Sequence, residues 1–492
     1  MNRVSFFVRP MIAVSIFFGV ISIAWPQSVA VNSAGGADYA TIGDALKAVK
    51  ADAAEPNVIT IAGGSTYEEG LLIDVPVTIK GQSKDDRPIL LLKKAGGSVR
   101  GDHGIVNIAA VDIALENLIL IPAKDSGVKR AVCIEPLKDS DKFNVVIRNV
   151  LVSANDGNNK PISVDGMEMN FQEGDASVPF LDDGIWMLAS YGRPHGTVDV
   201  LLEDDVVTHC DSGKDPAKIT ANSDGLVLGG VNVTLTMRNV VSSYNDRYGI
   251  QIISADTPSF TPIVHLEGTS SKPIIFKGNG TQGIQAWTGE NHWSYVDFIE
   301  NTQGTRIDIS SCTLEGDHLL FADNKEAIHQ YSLPSSSDEL TYKLSDCTFF
   351  RNETDIMINP ATDDAAAMNG LGTFAIEMKD SVVAGTLIYL INSTVTEIPE
   401  GFTQFEKVSY DHCALVEEGE FAVYKDFEGL PVIPVLTNNI SADPKFLSVD
   451  WGGEDYLRVS ADAYRNASST GGLLRGARPF AGETVVDAWM VY

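Results

Sequence analysis

Cysteine, basic charge and long apolar runs are all scarce in this chain of 492 residues. The five cysteines (Cys133, Cys210, Cys312, Cys347 and Cys413) are an odd number at wide spacing, which excludes a disulfide framework and a zinc motif. Lys and Arg total 36 against 66 Asp and Glu, a formal charge of −30. Such a surface repels nucleic acid and anionic membranes. It also weighs against a polyanionic substrate, unless a basic groove or bound cations offset the field. One apolar run stands out, Met11 to Ala24, behind Arg3 and Arg9 and ahead of Ser28-Val29-Ala30. A basic start, an apolar middle and small residues at the exit describe a secretory signal over 1–30, cleaved after Ala30 or, alternatively, after Ala24. Its removal takes two arginines and leaves 34 basic against 66 acidic residues, or −32. No other run is long enough to cross a bilayer, so the expected product is secreted, periplasmic or at the cell surface, with no membrane or nucleic-acid partner.

Helical pattern is scarce too. In DYATIGDALKAVKADA (38–53), apolar residues at Tyr39, Ile42, Leu46 and Val49 make one helical stripe, with Thr41 and Asp44 at capping-box spacing. Beyond Val58 the pattern is of short β-branched runs separated by Gly, Asn and Asp. A strand, a polar pair and a second strand recur in ALENLIL (114–120), VIRNVLV (146–152), LLEDDVV (201–207), TMRNVVS (236–242), LSDCTFF (344–350) and YDHCALV (410–416). A third run opens on glycine: DDGIWML (182–188), SDGLVLG (223–229), RYGIQII (247–253) and TQGIQAW (281–287). Three strands per repeat, each too short to bury its own face, require one coil to stack on the next. Spacings of 41, 24 and 34 between Gly184, Gly225, Gly249 and Gly283 fit a coil of about 22–25 residues with loops inserted. The expected fold is all-β: a single-stranded right-handed parallel β-helix, a solenoid of about a dozen coils with an N-terminal amphipathic capping helix. Its parts are a cap over 31–56, the β-helix over 57–435 and a C-terminal tail and cap over 436–492. A β-sandwich would supply the strands without the repeated polar pair or the tandem Gly-led runs.

DYATIGDALKAV followed by VITIAGGSTYEEGLLIDVPVTIKGQ (58–82) resembles the start of pectin lyase-like right-handed β-helix proteins. SADPKFLSVDWGGEDYLRVSADAYRNA (441–467) is similar to the tail of many secreted bacterial β-helix proteins. The resemblance implies the fold across nearly the whole mature chain and a superfamily of lyases, hydrolases, esterases, epimerases and non-catalytic members. It also implies that Cys312, Cys347 and Cys413, which share one position of the repeat with Asn117, Asn149 and Asn239, line an internal column. There they stand as buried thiols or, for Cys312 and Cys347, as a disulfide between coils.

Aligning the Gly-led runs sets Asp183, Asp224, Tyr248 and Gln282 in one column, with neighbouring strands about 4.8 Å apart. Carboxylates at that separation can act as acid and nucleophile on a glycosidic bond, or bind Ca²⁺. The catalytic candidates are Asp183, Asp224, Asp246 and Arg247; Asp182, Asp183 and Asp224 are the candidate Ca²⁺ ligands. Trp186, Tyr191, Arg193, His195, Tyr248 and Trp287 are candidate contacts for a polysaccharide, since aromatic faces suit sugar rings. His209, Lys214 and Lys218 are further acid–base candidates nearby. Asn222-Ser223-Asp224-Gly225 is similar to the Asn-Thr-Asp-Gly segment of polygalacturonases, but the Gly-His and Arg-x-Lys of that family do not follow. Asp-Gly is also ordinary turn chemistry, with Gly supplying positive φ. The two functional readings are a polysaccharide lyase or glycoside hydrolase, and a non-catalytic surface or glycan-binding rod. Six Asn-x-Ser/Thr sequons begin at Asn232, Asn279, Asn352, Asn392, Asn439 and Asn466.

Overall fold

A computed structural model describes residues 28–49, 56–92, 104–123, 128, 130–136, 138, 140–154, 181–188, 196–210, 223–229, 232–253, 262–307, 312–331, 339–358, 372–384, 390–391, 406–416, 423–424, 435–481 and 483. Every pairing between its named strands is parallel, in one sheet of 12 strands and one of 22. The 12-stranded sheet takes one strand from each coil, in chain order from Leu71–Ile73 to Val423–Tyr424. The larger sheet takes two segments per coil, such as Thr197–Glu203 and Val206–Thr208. Parallel neighbours joined by crossovers wind to the right, because the strands themselves twist that way. The chain is a right-handed parallel β-helix, as its strand grammar requires.

Sharp corners separate the two segments of each coil. Asn117, Asn149, Asp204, Asn239, Asp346, Asp380 and His412 all take φ between 50° and 57°. Asn and Asp tolerate this left-handed geometry because their short side chains bond locally. Asn149 Nδ2 donates to Asn117 Oδ1 at 2.8 Å, so one corner ties to the next. Cys347 and Cys413 each follow such a corner by one residue, which turns them inward. Cys312 stands elsewhere, at the start of strand Cys312–Ala322, and pairs with Gly289. The shared column expected for the three cysteines is therefore corrected, and with it the inter-coil disulfide: all five cysteines are buried and free.

Inside, side chains of like kind stack coil on coil. Phe276, Phe298, Phe321 and Phe349 lie face to face, with centroids 5.3, 4.8 and 4.9 Å apart. Beside them Asn245, Asn279, Asn301, Asn324 and Asn352 form a buried ladder. Each of the first four donates its amide nitrogen to the next Oδ1, at 2.9–3.3 Å. Each Oδ1 from Asn279 onward also accepts the preceding asparagine's backbone N–H.

The helix that opens the solenoid runs from Ile42 to Ala48, shorter than the 38–53 pattern. Thr41 caps it by accepting the Asp44 N–H at 3.1 Å, and the Glu69 carboxylate accepts the N–H groups of Ile42 and Gly43. Ile42, Ala45 and Leu46 are its buried face. Before it, Ser28–Val31 pairs with Val58–Ile61, so the first strand begins inside the stretch read as a leader. At the other end the tail folds back along the flank. Phe446 packs edge-on against Phe350, and Arg478 reaches the buried Asp297 at 2.6 Å. No helix of the described residues is long and apolar enough to cross a membrane.

Candidate functional site

Asp224 is not a turn residue. It opens strand Asp224–Gly229 and pairs directly with Asp183, which opens strand Asp183–Leu188. Nor does Gly225 supply positive φ. A Cβ there would lie 2.3 Å from Ser242 Oγ and 2.7 Å from the Gly249 carbonyl, so this position is glycine because the core leaves no room.

Two rows of side chains come together on the outer surface of the 12-stranded sheet. The first holds Arg130, Asp183 and Asp224, then Tyr248, Gln282, Gln303 and Glu326. Three residues on, the second holds Cys133, Trp186, Val227, Gln251, Gln285, Arg306 and His329. Arg130 Nε donates to Asp183 Oδ2 at 3.1 Å, and its guanidinium lies 3.4 Å from the Trp186 ring centroid. Arg247 forks onto Asp224, with Nε to Oδ1 at 2.9 Å and Nη2 to Oδ2 at 2.6 Å, and stacks over Tyr248 at 4.3 Å. From Arg247 a chain runs on through Gln251 Oε1 at 3.1 Å and from Gln251 Nε2 to Gln285 Oε1 at 3.0 Å.

Neither carboxylate is exposed. Burial, with the neighbouring Asp224 charge, raises the Asp183 carboxyl to about 7 against the pull of Arg130. Burial also raises Asp224, but the hydrogen bond and charge of Arg247 oppose it. Adjacent carboxyls thus differ in their hold on a proton, which is how acid and base roles separate within one site.

The other candidates fall into three groups. Trp186 and Tyr248 stand on the same face, stacked on arginines. Asp246 is exposed in the turn before Arg247 and gives its backbone N–H to the Cys210 carbonyl. His209 sits at a corner with φ 54°, stacked on Tyr244, and burial lowers it to about 4. Trp287 directly follows strand Gln282–Ala286, with its backbone N–H donated to the Ile252 carbonyl. Tyr191, Arg193, His195, Lys214 and Lys218 lie outside the described residues. The carboxylates of Asp183 and Asp224 already hold a guanidinium each, and among the described residues no three His, Cys, Asp or Glu side chains stand together as a metal site.

The sequence reading missed the lower half of the face. Gln303 Nε2 donates to Glu326 Oε2 at 2.5 Å and lies 2.7 Å from His329 Nδ1, which is 2.6 Å from the same Glu326 oxygen. Despite burial, the bonds from His329 and Gln303 hold the Glu326 carboxyl below its ordinary range. The signal was present in TQGTRI and KEAIHQ, which continue the column, but Ala327 replaces the marker glycine. A shallow groove of about 740 Å³ opens on the larger sheet between His265, His292, Glu315, Lys343 and Glu377. It contains none of Asp182, Asp183, Asp224 and Asp246. Its charged side chains pair with one another at 3.8–3.9 Å while half exposed, where such pairs contribute little.

No family model matches the chain, and no curated protein sequence matches it. Among solved structures, the chain is similar to pectate lyase Pel9A, at 9% identity and a TM-score of 0.45, over 93% of this chain and 98% of that one. It is also similar to the A-module of the Azotobacter vinelandii mannuronan C-5 epimerase AlgE6, at 15% identity and a TM-score of 0.38, over 82% of this chain and 95% of that one.

Proposed function

We propose that this is an exported carbohydrate-active protein that binds a polysaccharide lengthwise on the 12-stranded face and hydrolyses it at Asp183 and Asp224. The observation that carries the reading is the pair itself. Two carboxyls stand in register on neighbouring strands, and strands lie about 4.8 Å apart, near the spacing that retaining glycosidases use. Asp183, raised to about 7, keeps its proton near neutrality and gives it to the glycosidic oxygen. Asp224, which Arg247 holds through two hydrogen bonds, attacks the anomeric carbon as the carboxylate; water then releases the sugar and Asp183 takes the proton back. A β-elimination needs a free base instead, and Arg247 is committed to Asp224.

Zero exposure of both carboxylates favours a second reading, in which Arg130–Asp183 and Arg247–Asp224 are staples between coils of a non-catalytic rod. Neutral and uronic polysaccharides, with and without Ca²⁺, separate the two when reducing ends and unsaturated-uronate absorbance are both followed. For a hydrolase, Asp183→Asn and Asp224→Asn each lower turnover by about 10²- to 10⁴-fold with the fold intact. Unsaturated product would make it a lyase. Binding without any cleavage would leave the rod.

A further inference from the structure

We infer that the face selects a neutral, hydroxyl-rich glycan over a polyuronate, because its hydrogen bonds run in a direction that leaves acceptors to be filled. The inference rests on the polysaccharide reading above and narrows its substrate class. Glu326 sets the direction. As an ionised carboxylate it only accepts, so the Gln303 amide nitrogen must face it, as it does at 2.5 Å. The Gln303 oxygen then faces Gln282, whose Nε2 donates to it at 2.5 Å. That turns Gln282 Oε1 outward along the face, buried and with no partner among the described residues. The same carboxylate takes the Nδ1–H of His329, so in the neutral ring Nε2 is an acceptor, and it too is buried without a partner there.

The upper half repeats the pattern. Asn107, in the row of Trp186, leaves its Oδ1 buried with no partner among the described residues. Buried acceptors without donors are costly, and a bound molecule that brings donors relieves the cost. Against these three stands one such donor among the described residues at the edge of the face, Trp287 Nε1. A neutral sugar offers a hydroxyl donor at nearly every carbon. A uronate replaces one of them with a carboxylate, which only accepts and carries charge. Of the guanidiniums on the face, Arg130 and Arg247 already hold carboxylates and Arg306 stacks over Tyr331 at 4.1 Å, and the chain's −30 charge opposes a uronate's approach.

Polygalacturonate and its carboxyl-reduced form share one backbone and differ only at this group. Titration calorimetry of the full chain against length-matched samples of each, beside neutral xylan and galactan oligosaccharides, tests the inference directly. The reduced form should bind at least roughly 10-fold tighter than the uronate. Gln282→Leu, checked by thermal unfolding, should weaken binding of the neutral chain roughly 3- to 10-fold. Equal or tighter binding of polygalacturonate overturns the inference while sparing the polysaccharide reading. If no chain in the panel binds, the polysaccharide reading falls and takes this inference with it.

Discussion

The asparagine ladder inside the solenoid and the polar rows on its outer face use the same device, side chains in register from coil to coil, to opposite ends. Within the ladder the residue never changes from Asn245 to Asn352, exposure stays between 0% and 2%, and each amide nitrogen has an acceptor. On the face the residue changes at almost every strand: Arg, Asp, Asp, Tyr, Gln, Gln, Glu. There buried atoms of Asp183, Gln282 and His329 have no partner among the described residues. A closed, uniform ladder can only hold coils together. Variation with open valences is what recognition requires, since a ligand must find both difference and vacancy.

Breaking the ladder should have the largest effect. Asn301→Ala removes the acceptor for the backbone and side-chain N–H of Asn279 and the donor to the Phe276 carbonyl. Each buried group orphaned in this way costs about 1–3 kcal/mol, so the loss should be about 4 kcal/mol in chemical denaturation. Glycan affinity of the fraction still folded should stay unchanged. A cost under about 1 kcal/mol would mean that the ladder follows the stacking of coils rather than enforcing it.

The face should show itself through pH instead. The folded chain favours protonated Asp183, because its carboxyl moves from 3.8 to about 7. Between those values the native state keeps a proton that the unfolded chain has released. Its contribution is complete below about pH 4 and is lost as pH rises to about 7, with a slope of at most about 1.4 kcal/mol per pH unit. His209, lowered to about 4, works oppositely: stability falls as pH drops from 6.5 toward 4, because only the unfolded ring takes a proton. The two partly cancel in the wild type. The difference in unfolding free energy between wild type and Asp183→Asn, measured from pH 4 to 8, isolates the aspartate. A difference that does not change with pH would show that Asp183 is ionised throughout.

Much of this architecture was legible because β-helix coils repeat a physical constraint. Gly184, Gly225, Gly249 and Gly283 mark one strand per coil because the core crowds each of them, and they carried Asp183, Asp224, Tyr248 and Gln282 into register. Alanine takes the marker's place at Ala131 and Ala327, so Arg130 and Glu326 before them were lost. The ladder was hidden for another reason: asparagine beside glycine or threonine reads as turn chemistry or as a sequon. Asn279 and Asn352, two of the six sequons, are buried rungs. The cysteines slipped because the polar pair was aligned by letter, whereas the structural landmark is the left-handed corner one residue earlier.

The smallest effect belongs to the chain start, where cap and leader meet. Ser28–Val31 covers the open edge of Val58–Ile61, with the Ala62 N–H donating to the Val31 carbonyl at 2.9 Å and the Tyr39 N–H to the Ala30 carbonyl at 3.1 Å. Cleavage after Ala30 would remove three of the four residues of that strand and leave a parallel edge open to other chains. Cleavage after Ala24 spares it. If the chain is exported and cleaved, its mature form should therefore begin upstream of Ser28, as N-terminal sequencing or intact mass will show. A chain begun at Val31 should lose about 1 kcal/mol and self-associate more readily at high concentration. A mature terminus at Val31 would mean that the capping helix alone closes the solenoid, with Ile42, Ala45 and Leu46 as its whole cover.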